Sequence, residues 1–268
     1  MNVQRRILLT FAAVGLSWSL SAAAAPQPMS WTVDGVEREG LVFAPSLGGG
    51  GIRAKMPLVF AFHGHGGTMR SAAVTMGLQR AWPEAVVVYL QGLPTVSKVD
   101  PEGRRPGWQH APGELGDRDL KLVDAVLASM RAAFPIDDRR IYATGFSNGA
   151  FFSYLLWATR ANTFAAFAPV AGLAPEPPAR LTEPRPLLQI AGEEDKLVKL
   201  AAVLQTVATV RQVNGCTAAG EACGAGCTRY PSTKGAPVVT LVHGGGHVYP
   251  PFAAAKTVEF FKAHELAQ

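Results

Sequence analysis

A serine stands between two glycines in the segment GFSNG, whose central residue is Ser147. The run RRIYATGFS before it predicts a β-strand, and the apolar periodicity from Ala150 to Arg160 predicts a helix after it. At a sharp strand-to-helix turn a nucleophilic serine takes a strained backbone conformation, and glycine two positions away on either side avoids a collision. The pattern alone is weak in a chain with 28 glycines. Its place between strand and helix favours Ser147 as a nucleophile over an ordinary turn.

A serine hydroxyl becomes a good nucleophile only when a neighbouring base takes its proton. On a strand–serine–helix scaffold this base is a histidine that follows the serine in the chain. His247 ends the segment GGGH just beyond a predicted strand, where a glycine-rich loop can carry the imidazole over the serine. His243 lies within that strand and His264 in the last predicted helix, so we interpret them as structural and surface residues. His247 is the predicted base.

The base in turn needs a carboxylate that orients it, located between the serine and the histidine in the chain. The segment GEED follows the predicted strand PLLQIA and offers three carboxylates at the end of that strand. Asp195 is the predicted acid, and Glu193 and Glu194 are interpreted as solvated loop charges. Asp117 and Asp119 precede the serine, at the start of a predicted helix, and are interpreted as caps of that helix.

Attack on a carbonyl carbon creates an oxyanion, which needs preorganised N–H donors worth about 3 kcal/mol each. One donor is predicted to be the N–H of Asn148, the residue after the nucleophile. The other is predicted to be the N–H of His65, in the glycine-rich segment FHGHGG that follows an earlier strand. Such a segment lets the backbone approach the oxygen closely.

Strand and helix patterns alternate along the chain and must position these groups. Strands are predicted in MPLVFAFHG, AVVVYLQG, RRIYATGFS, FAAFAPVAG, PLLQIAGEED and PVVTLVHGG. Helices are predicted in LKLVDAVLASMRAAF and over 150–160, 197–213 and 253–266. This alternation predicts an α/β fold with a mostly parallel central sheet and helices on both faces.

The N-terminal segment resembles an export signal. Arg5 and Arg6 precede an apolar run and the small-residue stretch SAAAAP, which predicts a secretory signal peptide over residues 1–24. The apolar run is shorter than the ~20 residues of a membrane span, which argues against a membrane anchor. The arginine pair also suits a twin-arginine export signal. Residues 25–268 are then expected to form a single catalytic domain that is secreted or periplasmic and is not inserted in the membrane.

Charge and cysteine content exclude some functions. The net charge of +5 falls to 5 − 2 = +3 without Arg5 and Arg6, and no basic run alternates with aromatic residues, so nucleic acid is not an expected partner. Cys216, Cys223 and Cys227 lie in one short stretch, and export favours a disulfide among them. Their spacing leaves all three pairs possible. A metal knuckle or a catalytic cysteine is less favoured, because no histidine stands nearby.

Taken in order, the segments FHGHGG, YATGFSNGA, FAPVAG, GEED and GGGHVYP resemble the exported esterases of the α/β-hydrolase superfamily. Within it they are most similar to the polyhydroxybutyrate-depolymerase-like branch of carbohydrate esterase family one, beside feruloyl and acetylxylan esterases. The resemblance implies an α/β-hydrolase fold and a serine esterase that uses Ser147, Asp195 and His247 through an acyl-enzyme, without cofactor or metal. Tyr249 departs from the pattern, since relatives often carry tryptophan there.

The expected substrate is a small-molecule or polysaccharide-linked ester, of feruloyl, acetyl or hydroxyalkanoate type. Trp108, in the segment PGWQH, and Tyr249 are the predicted substrate-binding residues; for Trp108 core packing is the alternative.

Three other functions fit parts of the pattern: an acyl transferase, a non-catalytic binding protein on the same fold, and a zinc hydrolase. The zinc hydrolase would use His63, His65, His243 and His247, but the glycines between the last two prevent a helix that would place both on one face.

Overall fold

The structure, a computed structural model, describes residues 25–45, 54–174, 181–217 and 219–267 of the chain. The predicted signal peptide, residues 1–24, lies outside these ranges. Within them, no helix combines the length and the apolar character that crossing a lipid bilayer requires.

Runs rich in β-branched and aromatic residues form the strands, as their packing preference dictates. The strands are β1 (Gln27–Val33), β2 (Val36–Phe43), β3 (Met56–Phe62), β4 (Val86–Leu90), β5 (Leu93–Pro94), β6 (Pro106–Gly107), β7 (Ile136–Phe146), β8 (Ala166–Val170), β9 (Leu187–Gly192), β10 (Glu221–Gly224), β11 (Cys227–Tyr230) and β12 (Val238–His243). Ten of them form one sheet in the order β1-β2-β4-β3-β7-β8-β9-β12-β11-β10, and β5 pairs with β6 separately.

The central strands β4, β3, β7, β8, β9 and β12 run parallel, and antiparallel strands complete both edges. Parallel strands present their carboxyl ends at one edge of the sheet, where ligands bind in open α/β sheets. The segments with predicted chemistry follow β3, β7, β9 and β12, so they meet at that edge. The predicted mostly parallel sheet is confirmed.

Amphipathic helices cover both faces of the sheet. They are α1 (Met69–Met76), α2 (Leu78–Ala81), α3 (Arg118–Ala133), α4 (Asn148–Arg160), α5 (Leu200–Val213) and α6 (Ala253–Lys262). The apolar sides of α3, α4 and α5 pack in one buried cluster, and those of α1, α2 and α6 pack in a second cluster on the opposite face. The predicted two-sided covering of the sheet is confirmed.

The start of α3 differs from the expectation. The side-chain oxygen of Gln109 caps the helix, accepting from the N–H of Asp119 at 3.0 Å and of Leu120 at 3.3 Å. Asp119 is buried and pairs with Arg38 at 2.7 Å, while Asp117 accepts a hydrogen bond from the Gln109 amide at 2.9 Å. The interpretation of Asp117 and Asp119 as caps is therefore wrong. The Asp119 carboxylate binds the buried Arg38 of β2, and the Asp117 carboxylate binds Gln109 in the loop before the helix.

The cysteine stretch forms a local disulfide between Cys223 and Cys227, which are separated by 4 positions across the β10–β11 turn. Cys216 remains a free, half-buried thiol. Of the three pairings that the sequence left open, the structure selects the one that links adjacent strands of a hairpin.

Candidate active site

Ser147 occupies a strained turn between β7 and α4. Its φ of 53° and ψ of −119° lie outside the regions that side chains ordinarily adopt. Its N–H donates to Val170 O of the neighbouring strand at 2.9 Å, which fixes the turn. A Cβ at Gly145 would lie 2.3 Å from the Gly149 backbone, and one at Gly149 would lie 2.3 Å from Phe62 O. Glycine is therefore required on both sides of the serine by contact with the backbone.

Three side chains form a continuous hydrogen-bonded row at the carboxyl edge of the sheet. Ser147 Oγ lies 2.8 Å from His247 Nε2, and His247 Nδ1 lies 2.7 Å from Asp195 Oδ2. The three residues come from the turns after β7, β9 and β12. In this arrangement the carboxylate holds Nδ1–H, which leaves Nε2 free to accept the serine proton.

Asp195 is distinguished from the neighbouring carboxylates by burial. The Asp195 side chain is 1% exposed, whereas Glu193 and Glu194 are exposed. The Asp195 oxygen that does not face His247 accepts hydrogen bonds from the N–H groups of Leu197 and Val198, each at 2.8 Å. These two bonds set the orientation of the carboxylate.

The segment after β3 lies directly beside the nucleophile, since a Cβ on Gly64 would come within 3.4 Å of Ser147 Cβ. In this segment the N–H groups of Gly66 and Gly67 donate to Pro106 O and Gly64 O. The N–H groups of His65 and Asn148 have no acceptor among the residues that the structure describes. Both donors are thus available next to the serine.

No protein-family model matches the chain. Among curated proteins, it is 34% identical to a putative esterase, NocK, of Nocardia uniformis subsp. tsuyamanensis over 148 residues, 53% of this chain and 40% of that protein. It is 29% identical to feruloyl esterase D of Neurospora crassa over 225 residues, 76% of this chain and 75% of that protein. It is 30% identical to a probable feruloyl esterase C of Aspergillus terreus over 174 residues, 61% of this chain and 63% of that protein. The chain thus spans well under two thirds of the length of NocK.

Among solved structures, an acetyl xylan esterase from Aspergillus awamori superimposes with a TM-score of 0.68 at 14% identity, covering 88% of this chain and 99% of that one. A ferulic acid esterase superimposes with a TM-score of 0.60 at 13% identity, covering 89% and 96%. The chain has the α/β-hydrolase fold. Its strand-to-helix turn at Ser147 lies where that fold carries its nucleophile elbow.

A cavity of about 230 Å³ opens beside the elbow of this α/β-hydrolase fold. Phe146 and Tyr249 form one side of it, and the residues of the His65 segment and of α1 form the other. Four lining residues from α1, Ser71, Ala72, Thr75 and Met76, give this wall a mixed polar and apolar character. The Phe146 ring also lies 5.0 Å from the His247 ring, which places the cavity next to the hydrogen-bonded row.

Of the two predicted substrate-binding residues, only Tyr249 reaches this cavity. Trp108 is 0% exposed. Its indole lies between Phe62 and Phe152, with ring centroids 5.2 and 5.4 Å away, and its Nε1 donates to His63 O at 2.9 Å. The structure places Trp108 in the core, because the paired β5 and β6 fold its loop back onto the sheet.

The four histidines of the zinc alternative each have separate partners. His63 is buried, which lowers its pKa to about 4, and its Nε2 accepts from the N–H of Gly92 at 3.0 Å. His65 bonds to Asp100, and His243 accepts from Gly245. Over the described ranges, no three His, Cys, Asp or Glu side chains form a group that could hold a metal ion.

Two supporting interactions were not found from the sequence. Asp100 Oδ2 lies 3.1 Å from His65 Nε2 and also accepts from the N–H of Arg105 at 2.8 Å. Gln91 donates to His63 Nε2 at 3.3 Å and accepts from the N–H of Met69 at 3.0 Å. Both join loops that are distant in sequence, and no local pattern marks them.

Proposed function

We propose that the protein is a serine carboxylic ester hydrolase that works through an acyl-enzyme. The observation that carries the proposal is the row formed by Ser147 Oγ, His247 Nε2 at 2.8 Å and Asp195 Oδ2 at 2.7 Å from His247 Nδ1. Nucleophile, base and orienting acid stand in the order and geometry that acyl transfer requires. Relatives named esterase and feruloyl esterase support the same reaction class.

Acylation follows from these positions. His247 Nε2 takes the proton from Ser147 Oγ as the oxygen attacks the ester carbonyl carbon, and the imidazolium that forms is stabilised by Asp195. The carbonyl oxygen becomes an oxyanion, to which the N–H groups of His65 and Asn148 donate. When the tetrahedral intermediate collapses, the bond to the alcohol oxygen breaks and His247 returns the proton to that oxygen.

Deacylation repeats the steps with water. His247 removes a proton from the water as its oxygen attacks the acyl carbon, and the same two N–H groups hold the second oxyanion. Collapse breaks the bond to Ser147 Oγ, His247 protonates that oxygen, and the acid leaves.

For the substrate we propose a small-molecule or polysaccharide-linked ester with an acyl group larger than acetyl. The cavity of about 230 Å³ beside the elbow has more room than an acetyl group fills. The aromatic residues Phe146 and Tyr249 in its lining suit a planar acid such as a hydroxycinnamoyl group, and Thr75 offers a hydroxyl. A feruloyl-type ester therefore suits the cavity better than an acetyl ester does.

Ser147→Ala tests the reaction class. We expect kcat on an aryl ester to fall by roughly 10⁴- to 10⁶-fold, as for other nucleophile knockouts, with the thermal unfolding midpoint close to that of the wild type. Inactivation of the wild type by a serine-directed phosphonate, together with full activity in a chelator, separates this proposal from a zinc hydrolase. A folded Ser147→Ala protein with a tenth of the wild-type rate would overturn it.

A panel of feruloyl, acetyl-sugar and hydroxyalkanoate esters tests the substrate class, and we expect the highest kcat/KM on the feruloyl ester. Adding an acceptor alcohol to the same assays tests the transferase alternative, because a transferase would release the ester of that alcohol in place of the free acid.

We further propose that residues 1–24 are removed on export. The signal-like sequence of this segment and the Cys223–Cys227 disulfide support an oxidising destination. N-terminal sequencing of the exported protein should begin at Ala25, and recovery of a chain that still begins at Met1 in the membrane fraction would contradict this.

A further inference from the structure

We propose that Trp108 is a positioning residue that joins the two halves of the oxyanion hole. The proposal rests on the function proposed above, in which the N–H groups of His65 and Asn148 hold the oxyanion. These donors belong to different parts of the chain, one in the loop after β3 and the other at the start of α4. They must converge on one oxygen with hydrogen-bond geometry, so any group that is bonded to both segments helps to set the direction of the two N–H bonds.

The backbone of Trp108 is bound to the Asn148 half. Its N–H donates to Asn148 Oδ1 at 2.7 Å, and its carbonyl oxygen accepts from Asn148 Nδ2 at 3.3 Å. The side-chain amide of Asn148 thus pairs with both polar groups of one residue, as a neighbouring strand would. The same amide also lies 3.2 Å from His110 Nε2. The first residue of α4 is therefore held to this loop by its side chain.

The indole of Trp108 is bound to the other half. Its Nε1 donates to the carbonyl oxygen of His63, two residues before His65, at 2.9 Å. The ring lies between Phe62 at the end of β3 and Phe152 on α4, so aromatic packing links the same two elements that the hydrogen bonds link. One fully buried side chain thus connects both donor segments.

The loop that carries Trp108 is itself fixed. The N–H of Gln109 donates to Asp119 Oδ2 at 2.9 Å, and Asp119 is held by Arg38. On the other side, the carbonyl oxygen of Pro106 accepts from the N–H of Gly66 at 2.7 Å. Because the residues before and after Trp108 are anchored, the indole is a rigid spacer between the halves of the hole.

Trp157 provides a matched control. It is also buried, at 1% exposed, lies on α4, stacks on Phe167 at 5.1 Å, and donates from its Nε1 to a carbonyl oxygen, that of Glu183, at 2.8 Å. Changing either tryptophan to phenylalanine removes a bicyclic ring and one buried hydrogen bond of the same kind. Only the bond of Trp108 touches a donor segment of the hole.

The experiment compares Trp108→Phe with Trp157→Phe on an ester and on the matching thionoester. Sulfur is a larger and weaker acceptor than oxygen, so an intact hole strongly favours the oxygen ester, and a displaced one discriminates less. We expect Trp108→Phe to lower kcat on the oxygen ester by at least about tenfold, with KM changed by less than about twofold, and to lower the oxygen-to-sulfur rate ratio. Trp157→Phe should leave that ratio and kcat near the wild-type values while lowering the unfolding midpoint by a similar amount.

A second variant guards against loss of the fold. Replacing Trp108 with β-(3-benzothienyl)alanine keeps the bicyclic shape and removes only the N–H donor, and it should lower the ratio in the same direction. Wild-type kcat and ratio in both Trp108 variants would overturn the inference while leaving the esterase proposal intact. Equal falls in the ratio for Trp108→Phe and Trp157→Phe would overturn it as well. A wild type without esterase activity would instead overturn the proposed function, and this inference with it.

Discussion

The two sides of the site hold their functional groups by different means. On the nucleophile side, residues 62–67 and 145–149, the backbone of one segment presses directly on the other, and a Cβ on Gly149 would come within 2.3 Å of a carbonyl oxygen. On the acid–histidine side, residues 192–198 and 243–247, the backbones also lie close, since a Cβ on Gly192 would come within 2.4 Å of Gly245 O, but the histidine is oriented by hydrogen bonds through one buried carboxylate. Close backbone contact fixes a position rigidly but tolerates no added atom, whereas charge-assisted hydrogen bonds depend on the chemistry of a single group. Atoms added at the glycines in contact on the first side should therefore act mainly on stability, and changes to the carboxylate on the second side mainly on rate.

Among the changes that compare the two sides, Asp195→Asn should have the largest effect. The amide oxygen can still accept from Leu197 and Val198, so the turn should keep its shape. The amide NH₂ then faces His247 Nδ1 and holds the imidazole in the wrong tautomer. We expect kcat to fall by roughly 10⁴-fold with little change in the unfolding midpoint. Steady-state kinetics and thermal unfolding of the same preparations measure both.

Glu193→Gln and Glu194→Gln serve as controls for Asp195→Asn. Both side chains are exposed, so each change should leave kcat within about twofold, since exposed charges contribute weakly. Loss of activity in either control, with Asp195→Asn active, would require another triad acid and would remove the contrast between the two sides.

Gly149→Ala should act on stability. Its Cβ would lie 2.3 Å from Phe62 O and 2.7 Å from His63 O, so β3 and α4 would have to separate. We expect the free energy of unfolding to fall by at least about 3 kcal/mol, at the upper end of overpacking effects, as measured by denaturant titration.

The matched control is Gly244→Ala on the acid–histidine side, where a Cβ would meet no atom within 4 Å. A loss of less than about 1 kcal/mol is expected there. Equal losses at the two positions would mean that the backbone contact at Gly149 does not cause the loss.

A pH-dependent loss of stability is expected on the nucleophile side. Burial lowers the pKa of His63 to about 4, below its ordinary value of 6.5. As pH falls from 6.5, the unfolded chain takes up this proton before the folded protein does. The stability that the neutral imidazole provides is therefore fully present above pH 6.5 and is lost as pH approaches 4, by at most about 3 kcal/mol.

Unfolding free energies from pH 7 to 4 check this expectation. His63→Gln should be less stable overall but should show a flatter pH dependence over that interval. Burial also lowers the pKa of His264, which adds a slope of the same sign and should remain in the variant. An unchanged slope in His63→Gln would assign the pH dependence to other groups.

The sequence predicted those features of the fold and the site that depend on residues close together in the chain. Alternating apolar runs predicted the parallel sheet, and glycines around Ser147 predicted a sharp turn, because both depend on residues a few positions apart. The environment of Trp108 and the pairing of Asp119 with Arg38 were not predictable in this way. They depend on which distant segment occupies the neighbouring space, and an aromatic or charged residue in a loop fits either a surface or a core.

Burial, too, is a property of the folded chain. The segment GEED offers three carboxylates, and residue type alone does not show which of them is buried. In the folded chain the turn after β9 buries Asp195, whose carboxylate accepts from two N–H groups. The roles of Ser147, Asp195, His247, His65 and Asn148 remain predictions that the variants above test.

The Cys223–Cys227 bridge has a practical consequence for making the protein. It spans only 4 positions, and closing so short a loop removes little freedom from the unfolded chain, about 2 kcal/mol by loop entropy. It ties the tip of a hairpin at the edge of the sheet and has no covalent hold on the loops that carry Ser147, Asp195 or His247. Residues 25–268 should therefore fold in the reducing cytoplasm of an ordinary expression host, with all three thiols unpaired and no need for an oxidative refolding step.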